Sequence, residues 1–207
     1  MKISLTDCSV KIKNALILQK LNFEIQKGTC YHLRGENGAG KSVFLQAILG
    51  LVPFSTGSHE ITYDKADLCY ITSIPFYFDN EKVSSVIKLL ATLYKTDSGQ
   101  YTDILSLLGL SYSELARKRM CELSQGTRQK IVLSALFTTR ASFFVLDEIF
   151  VGVDQQTQTK VINRITDLAT KKQTLILVEH NEALMARVKQ KMKMEELVCK
   201  NQTVLRA

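Results

Sequence analysis

The chain has 207 residues, 45% of them hydrophobic and 23% charged, a formal net charge of +7, and no apolar run approaching the roughly 20 residues that cross a bilayer. That balance suits one globular domain with a real core, and any membrane role is expected to run through a partner. The basic surplus fits nucleic acid, anionic lipid or nucleotide, but the lysine clusters at Lys171-Lys172 and 186–193 hold no interleaved aromatics and read as solvated faces.

In chain order, the opening MKISLTDCSVKIK lacks the apolar core and cleavage site of a secretory leader. The segments 3–10, 17–25 and 29–35 read as short strands, the last running into a glycine-dense loop. Strands EITYD (60–64) and LCYIT (68–72) follow. A helical stretch comes next, with apolar residues at helical spacing in 83–94 and 101–110, broken at Asp97-Ser98-Gly99. In the second half a helix over 128–139 leads into the strand FFVLDE (143–148), and a helix over 157–172 leads into TLILVEH (174–180). That alternation predicts parallel βαβ units, hence an α/β fold with a helical insertion at about 78–122. The five cysteines are odd in number, scattered and without a CxxC pair, which argues for reduced thiols rather than zinc or disulfides.

The glycine-dense loop is Gly35-Glu36-Asn37-Gly38-Ala39-Gly40-Lys41-Ser42, a full match to G-x-x-x-x-G-K-[ST]. On average residue frequencies a chance match in a chain this long is roughly one in a hundred. The spacing has a physical sense. Glycines let successive N–H groups point at one anion. Lysine sets a point charge on the outer phosphates, and the serine hydroxyl ligates magnesium. The strand CYHL before the loop and the helix SVFLQAILGL after it direct a helix N-terminus at the phosphates. Four apolar residues ending in Asp147-Glu148 then supply the two further requirements, a carboxylate toward magnesium (Asp147) and a group that polarises water (Glu148).

With these pieces in order, the chain resembles the nucleotide-binding subunits of ATP-binding cassette (ABC) transporters. Leu123-Ser124-Gln125-Gly126-Thr127 is similar to the family signature LSGGQ, with Ser124 and Gly126 matching and Gln125 and Thr127 departing. IFVGVD is similar to the D-loop, with Gly152 and Asp154 matching, and His180 stands where the family carries its switch histidine. The resemblance implies a P-loop NTPase core with an antiparallel β subdomain and an inserted helical subdomain, as one ATPase domain over 1–207. It implies a nucleotide and magnesium site drawing on Gly35, Asn37, Gly38, Ala39, Gly40, Lys41, Ser42, Ser124, Gly126, Asp147 and Asp154, with Glu148 and His180 in hydrolysis. It also implies a homodimer or heterodimer, each ATP between the loop of one subunit and the signature of the other. Separate transmembrane permease subunits would hold the pair at the cytoplasmic face of the membrane, with no nucleic acid partner.

Two further departures concern the base and the permease. Ungapped matching puts Ile12 where the family stacks an aromatic on adenine, and Ser73 stands where a glutamine is usual. The segment Ile74-Pro75-Phe76-Tyr77-Phe78 is expected to help dock a helix of the permease. Compact cassettes of this kind resemble those of peptide or bacteriocin export and immunity and of c-type cytochrome maturation. The alternatives are a non-transport ABC-type ATPase acting on DNA or ribosomes, and a weakly hydrolysing regulatory subunit. Tandem cassettes or long coiled coils, usual in the former, are absent here; Glu148 and His180 oppose the latter.

Overall fold

The computed structural model describes residues 1–73, 78–200 and 202–206. Residues Ile74 to Tyr77 of the expected docking segment therefore lie outside the described residues, while Phe78 is half-buried. The chain forms two compact units, Met1–Lys65 with Ala169–Ala207, and Ala66–Leu168.

In the first unit, β1 (Lys2–Ile12), β2 (Ala15–Ile25) and β4 (Thr56–Thr62) form an antiparallel sheet in the order β2-β1-β4. Alternation drives it. Ile3, Leu5, Cys8 and Val10 of β1 and Leu18, Leu21, Phe23 and Ile25 of β2 are buried, most of them between exposed or half-buried neighbours, although Ser9 is buried as well. The β1–β2 hairpin closes at Lys13 and Asn14, both with positive φ, a two-residue turn whose twist matches the strands.

The second sheet of this unit is built on β3 (Cys30–Arg34). It runs parallel to β7 (Thr174–Val178) on one side and to β8 (Glu195–Lys200) on the other, and β8 pairs antiparallel with β9 (Thr203–Arg206). β7 is buried throughout and β3 everywhere but Arg34, as expected of parallel strands covered on both faces. Helix α1 (Lys41–Ile48) follows β3 and α7 (Glu182–Lys189) follows β7.

In the second unit, β5 (Leu68–Thr72) and β6 (Phe143–Asp147) pair in parallel, Leu68 opposite Phe143 and Thr72 opposite Asp147. Between them come α2 (Val83–Leu93), α3 (Ser98–Leu107), the single turn α4 (Tyr112–Leu115) and α5 (Gln125–Thr138). Helix α2 buries Val83, Val86, Ile87, Leu90 and Ala91, one apolar stripe. Asp97 caps α3 by accepting from the Gly99 N–H. Helix α6 (Gln155–Thr170) follows β6. Strand and helix alternation, the mixed sheet and the separate antiparallel sheet are the α/β architecture expected. Helix α7 and the β8–β9 hairpin were not foreseen. The lysines of 186–193 are exposed, as expected, and Lys189 and Arg34 both pair with Glu196 at the surface.

Candidate functional site

In the first unit the phosphate loop leaves β3 at Gly35 and enters α1 at Lys41. Gly35, Gly38 and Gly40 all have positive φ. A Cβ on Gly35 would lie 2.4 Å from the Cys199 carbonyl oxygen, so β8 packs on the loop where only glycine fits. Gly40 is the N-cap of α1 and brings no side-chain cap, so the leading amides of the helix are left to an anion. The buried Lys41 folds back over the loop, its Nζ donating to the Gly35 and Glu36 carbonyls at 2.8 Å each. Cys199 Sγ donates to the Ala39 carbonyl at 2.8 Å, and burial pushes that thiol up, which keeps it a neutral donor.

The loop opens on a cleft of about 900 Å³ lined by Glu36 to Ala39, His32, Glu179, His180 and Lys189 among others. The structure thus brings His180, from the end of β7, to the same cleft as the loop. Glu179 Oε1 accepts from the amides of His180 (2.8 Å) and Asn181 (2.9 Å), and Asn181 caps α7 through the Leu184 N–H. Ile12 ends β1 beside the hairpin turn and is exposed. The hairpin itself meets the loop, since a Cβ on Gly40 would stand 2.8 Å from Leu18 Cδ2.

His32 is buried in β3 with Nε2 3.2 Å from the Glu179 carbonyl oxygen. Burial lowers its pKa, reinforced by Lys189 and Arg34 and opposed by the Glu179 carbonyl and Glu196. The sign follows: folding favours the neutral ring, so its contribution is fully present above the ordinary value of about 6.5 and is lost as pH falls through the lower folded value. Thermal melts from pH 7.5 to 5.5 should show falling stability, and His32→Gln should flatten that slope. An unchanged slope in the variant would place the loss elsewhere.

In the second unit, Asp147 ends β6 and is half-buried. Glu148 follows with φ 52°, a left-handed conformation uncommon outside glycine and costly for a side chain that is not needed there. Gln129, buried on α5, donates Nε2 to the Ile149 carbonyl at 3.0 Å and is 3.5 Å from the Thr72 carbonyl. One side chain therefore ties the residue after Glu148 and the residue before Ser73 to the helix that starts at the signature. Ser124 caps that helix, its Oγ accepting from the Thr127 N–H and lying 2.8 Å from Thr127 Oγ1. Arg128 holds the approach, donating to the Leu123 and Cys121 carbonyls and pairing with Asp79.

Gly126 and Gly152 bring the start of α5 and the segment after Glu148 into close backbone contact: a Cβ on Gly126 would be 2.3 Å from the Gly152 oxygen. Asp154 accepts from the Thr157 N–H and hydroxyl and pairs with Lys130 at 2.6 Å; the Lys130 hydrogen bond first, then Thr157, holds it well below the carboxylate range. Its carboxylate is thus engaged within the chain.

Ser42, exposed in the first turn of α1, offers a hydroxyl, and in the second unit Asp147 at the end of β6 offers a half-buried carboxylate; each taken by itself is a hard oxygen donor of the kind magnesium takes. Among the described residues no group of three or more His, Cys, Asp or Glu could hold a metal ion. His32, Glu179 and Gln129 escaped the sequence reading. The available signals were a histidine inside an apolar strand and a glutamine inside an apolar helix face.

The model of the family described as ABC transporter matches residues 18–151. The chain is 32% identical over 152 residues to the cytochrome c biogenesis ATP-binding export protein CcmA of Reclinomonas americana, covering 69% of this chain and 68% of that one. It is 27% identical over 195 residues to the manganese transport system ATP-binding protein MntB of Bacillus subtilis (strain 168), covering 86% and 77%. A solved structure of the ATP binding subunit of an ABC transporter superposes with a TM-score of 0.81 at 21% identity, over 100% of this chain and 90% of that one, a likeness of fold.

Proposed function

The chain belongs to the ABC transporter family, as an ATP-binding and ATP-hydrolysing subunit, and from that premise we propose that its two units act as one ATPase domain that pairs head to tail and drives separate membrane subunits. The observation that carries the site assignment is the start of α1, a glycine-capped helix N-terminus with Lys41 buried over the loop. Backbone amides of Gly38 to Ser42 and the Lys41 ammonium bind the phosphates. Ser124 and the first amides of α5 bind the γ-phosphate of the partner copy's nucleotide, with Gly126 and Gly152 keeping that surface close to the backbone. Asp154 shapes the D-loop by capping α6.

Magnesium, held by Ser42 and through water by Asp147, would neutralise charge on the phosphate oxygens. Glu148 accepts the proton of the attacking water as its oxygen adds to the γ-phosphorus, and the bond to the bridging oxygen breaks to release ADP. His180, in the cleft with the loop, hydrogen-bonds the γ-phosphate. Binding then closes the pair and hydrolysis opens it, which is work the membrane subunits can use. Among the described residues no helix is long and apolar enough to cross a membrane; in this reading the membrane subunits supply the attachment.

Export is the direction we favour, supported by the 32% identity to an export protein; cargo choice rests with the membrane partner. The test is capture of the tagged full chain from detergent-solubilised native membranes. A membrane-spanning partner supports transport, and ribosomes or DNA in its place would favour the non-transport ATPase. Nucleotide binding without measurable turnover would favour a regulatory subunit.

Ile12 carries a separate expectation. Aromatic stacking on a base contributes roughly 1–3 kcal/mol, and an exposed isoleucine offers none of it. GTP should compete with ATP within about tenfold, or 1.4 kcal/mol. A hundredfold preference for ATP in competition binding would show that another residue grips adenine.

A further inference from the structure

Strand β3 buries Cys30, Tyr31 and Leu33, and among them stands His32, equally buried. Imidazole in such a place costs free energy unless its nitrogens are partnered. Its partner at Nε2 is the Glu179 carbonyl, which can only accept, so Nε2 carries the hydrogen and Nδ1 is left as an acceptor. That Nδ1 is buried without a hydrogen-bond partner among the described residues. A leucine would fill the strand without this penalty. The histidine therefore costs stability at one nitrogen in exchange for a single bond at the other.

The bond falls at a telling place. The Glu179 carbonyl and the His180 N–H are the two ends of one planar peptide group. Its oxygen is held by His32, and its N–H is held by Glu179 Oε1 at 2.8 Å. The next amide, Asn181, is held by the same carboxylate oxygen, and the Asn181 side chain caps α7. With the plane gripped on both edges, the direction in which the His180 side chain leaves the backbone is set before any nucleotide arrives. We propose that His32 is a positioning residue for His180, acting through the 179–180 peptide group. The proposal rests on the reading that His180 takes part in hydrolysis. It links the strand that feeds the phosphate loop directly to the group that would meet the γ-phosphate, so both sides of the cleft share one anchor.

The test uses the full chain and four variants: His32→Leu, His32→Gln, His180→Ala and the double His32→Leu/His180→Ala. Glutamine places an N–H donor at the reach of Nε2, whereas leucine places none. We expect His32→Leu to lower kcat about tenfold while KM for ATP changes less than twofold, and His32→Gln to restore kcat to within about threefold of the parent. In the His180→Ala background, His32→Leu should cost nothing more. A drop that is equal with and without His180, or a KM effect at unchanged kcat, overturns the positioning role and leaves His180 its own. A parental rate in His180→Ala overturns the hydrolytic reading of His180 and this proposal with it. Should the leucine variant fail to fold, His32→Ala against His32→Gln carries the same comparison, and equal kcat in those two overturns the proposal.

Discussion

Glu148→Gln should keep ATP bound and stop its hydrolysis. The substitution preserves shape and removes the only thing a general base must do, which is accept a proton from water. Loss of such a base costs about 10²–10⁴-fold in rate, so kcat should fall at least a hundredfold while the nucleotide Kd moves less than threefold. The backbone argues for the same residue. Glu148 sits at φ 52°, where a non-glycine residue is under strain, and strain of this kind persists when the surroundings hold it. Here the following carbonyl, Ile149, is tied to Gln129 of α5. A glutamine at 148 keeps that geometry, so folding and binding should survive, and ATP-bound pairs of subunits should accumulate in size-exclusion chromatography. Turnover at the parent rate would show that the water is activated elsewhere.

The parts of this protein that were legible in its sequence are those carried by short spacing. The loop from Gly35 to Ser42, the Asp147-Glu148 strand exit and the helix stripe of α2 are each written within a few residues, and a period of two or 3.6 exposes the element around them. The β8–β9 hairpin was hidden because Glu195 and Glu196 make β8 look polar. Glu196 is at home there only through Arg34 and Lys189, the former 162 residues away. His32 and Gln129 were hidden for the same reason. The partner of His32, Glu179, stands 147 residues off, and those of Gln129, Ile149 and Thr72, stand 20 and 57 residues off, and nothing local marks a buried side chain whose purpose is a backbone carbonyl elsewhere in the chain. Tertiary hydrogen bonds to backbone leave no periodic trace. They surface as a polar residue in an apolar run, which in a single sequence also describes many residues of no consequence.

Lys41→Ala should remove nucleotide binding rather than turnover alone. The ammonium is buried at the start of α1 and reaches back to the Gly35 and Glu36 carbonyls, so it already stands over the loop that cradles the phosphates. A hydrogen bond to a charged group contributes about 1.5–3 kcal/mol, and the site of Lys41 offers more than one phosphate oxygen. Loss of one or two such bonds weakens ATP by at least about tenfold on the scale of 1.4 kcal/mol per decade. Truncation also strips the two loop carbonyls of their donor, so part of the loss is a looser cradle. Lys41→Met separates the two effects, because it keeps a buried apolar stem and removes the charge. Both variants should fail to bind ATP at concentrations that saturate the parent in equilibrium dialysis, and Lys41→Met should melt closer to the parent than Lys41→Ala. ATP binding by Lys41→Met within threefold of the parent would mean that the loop amides alone hold the phosphates, and the point-charge role of Lys41 would be wrong.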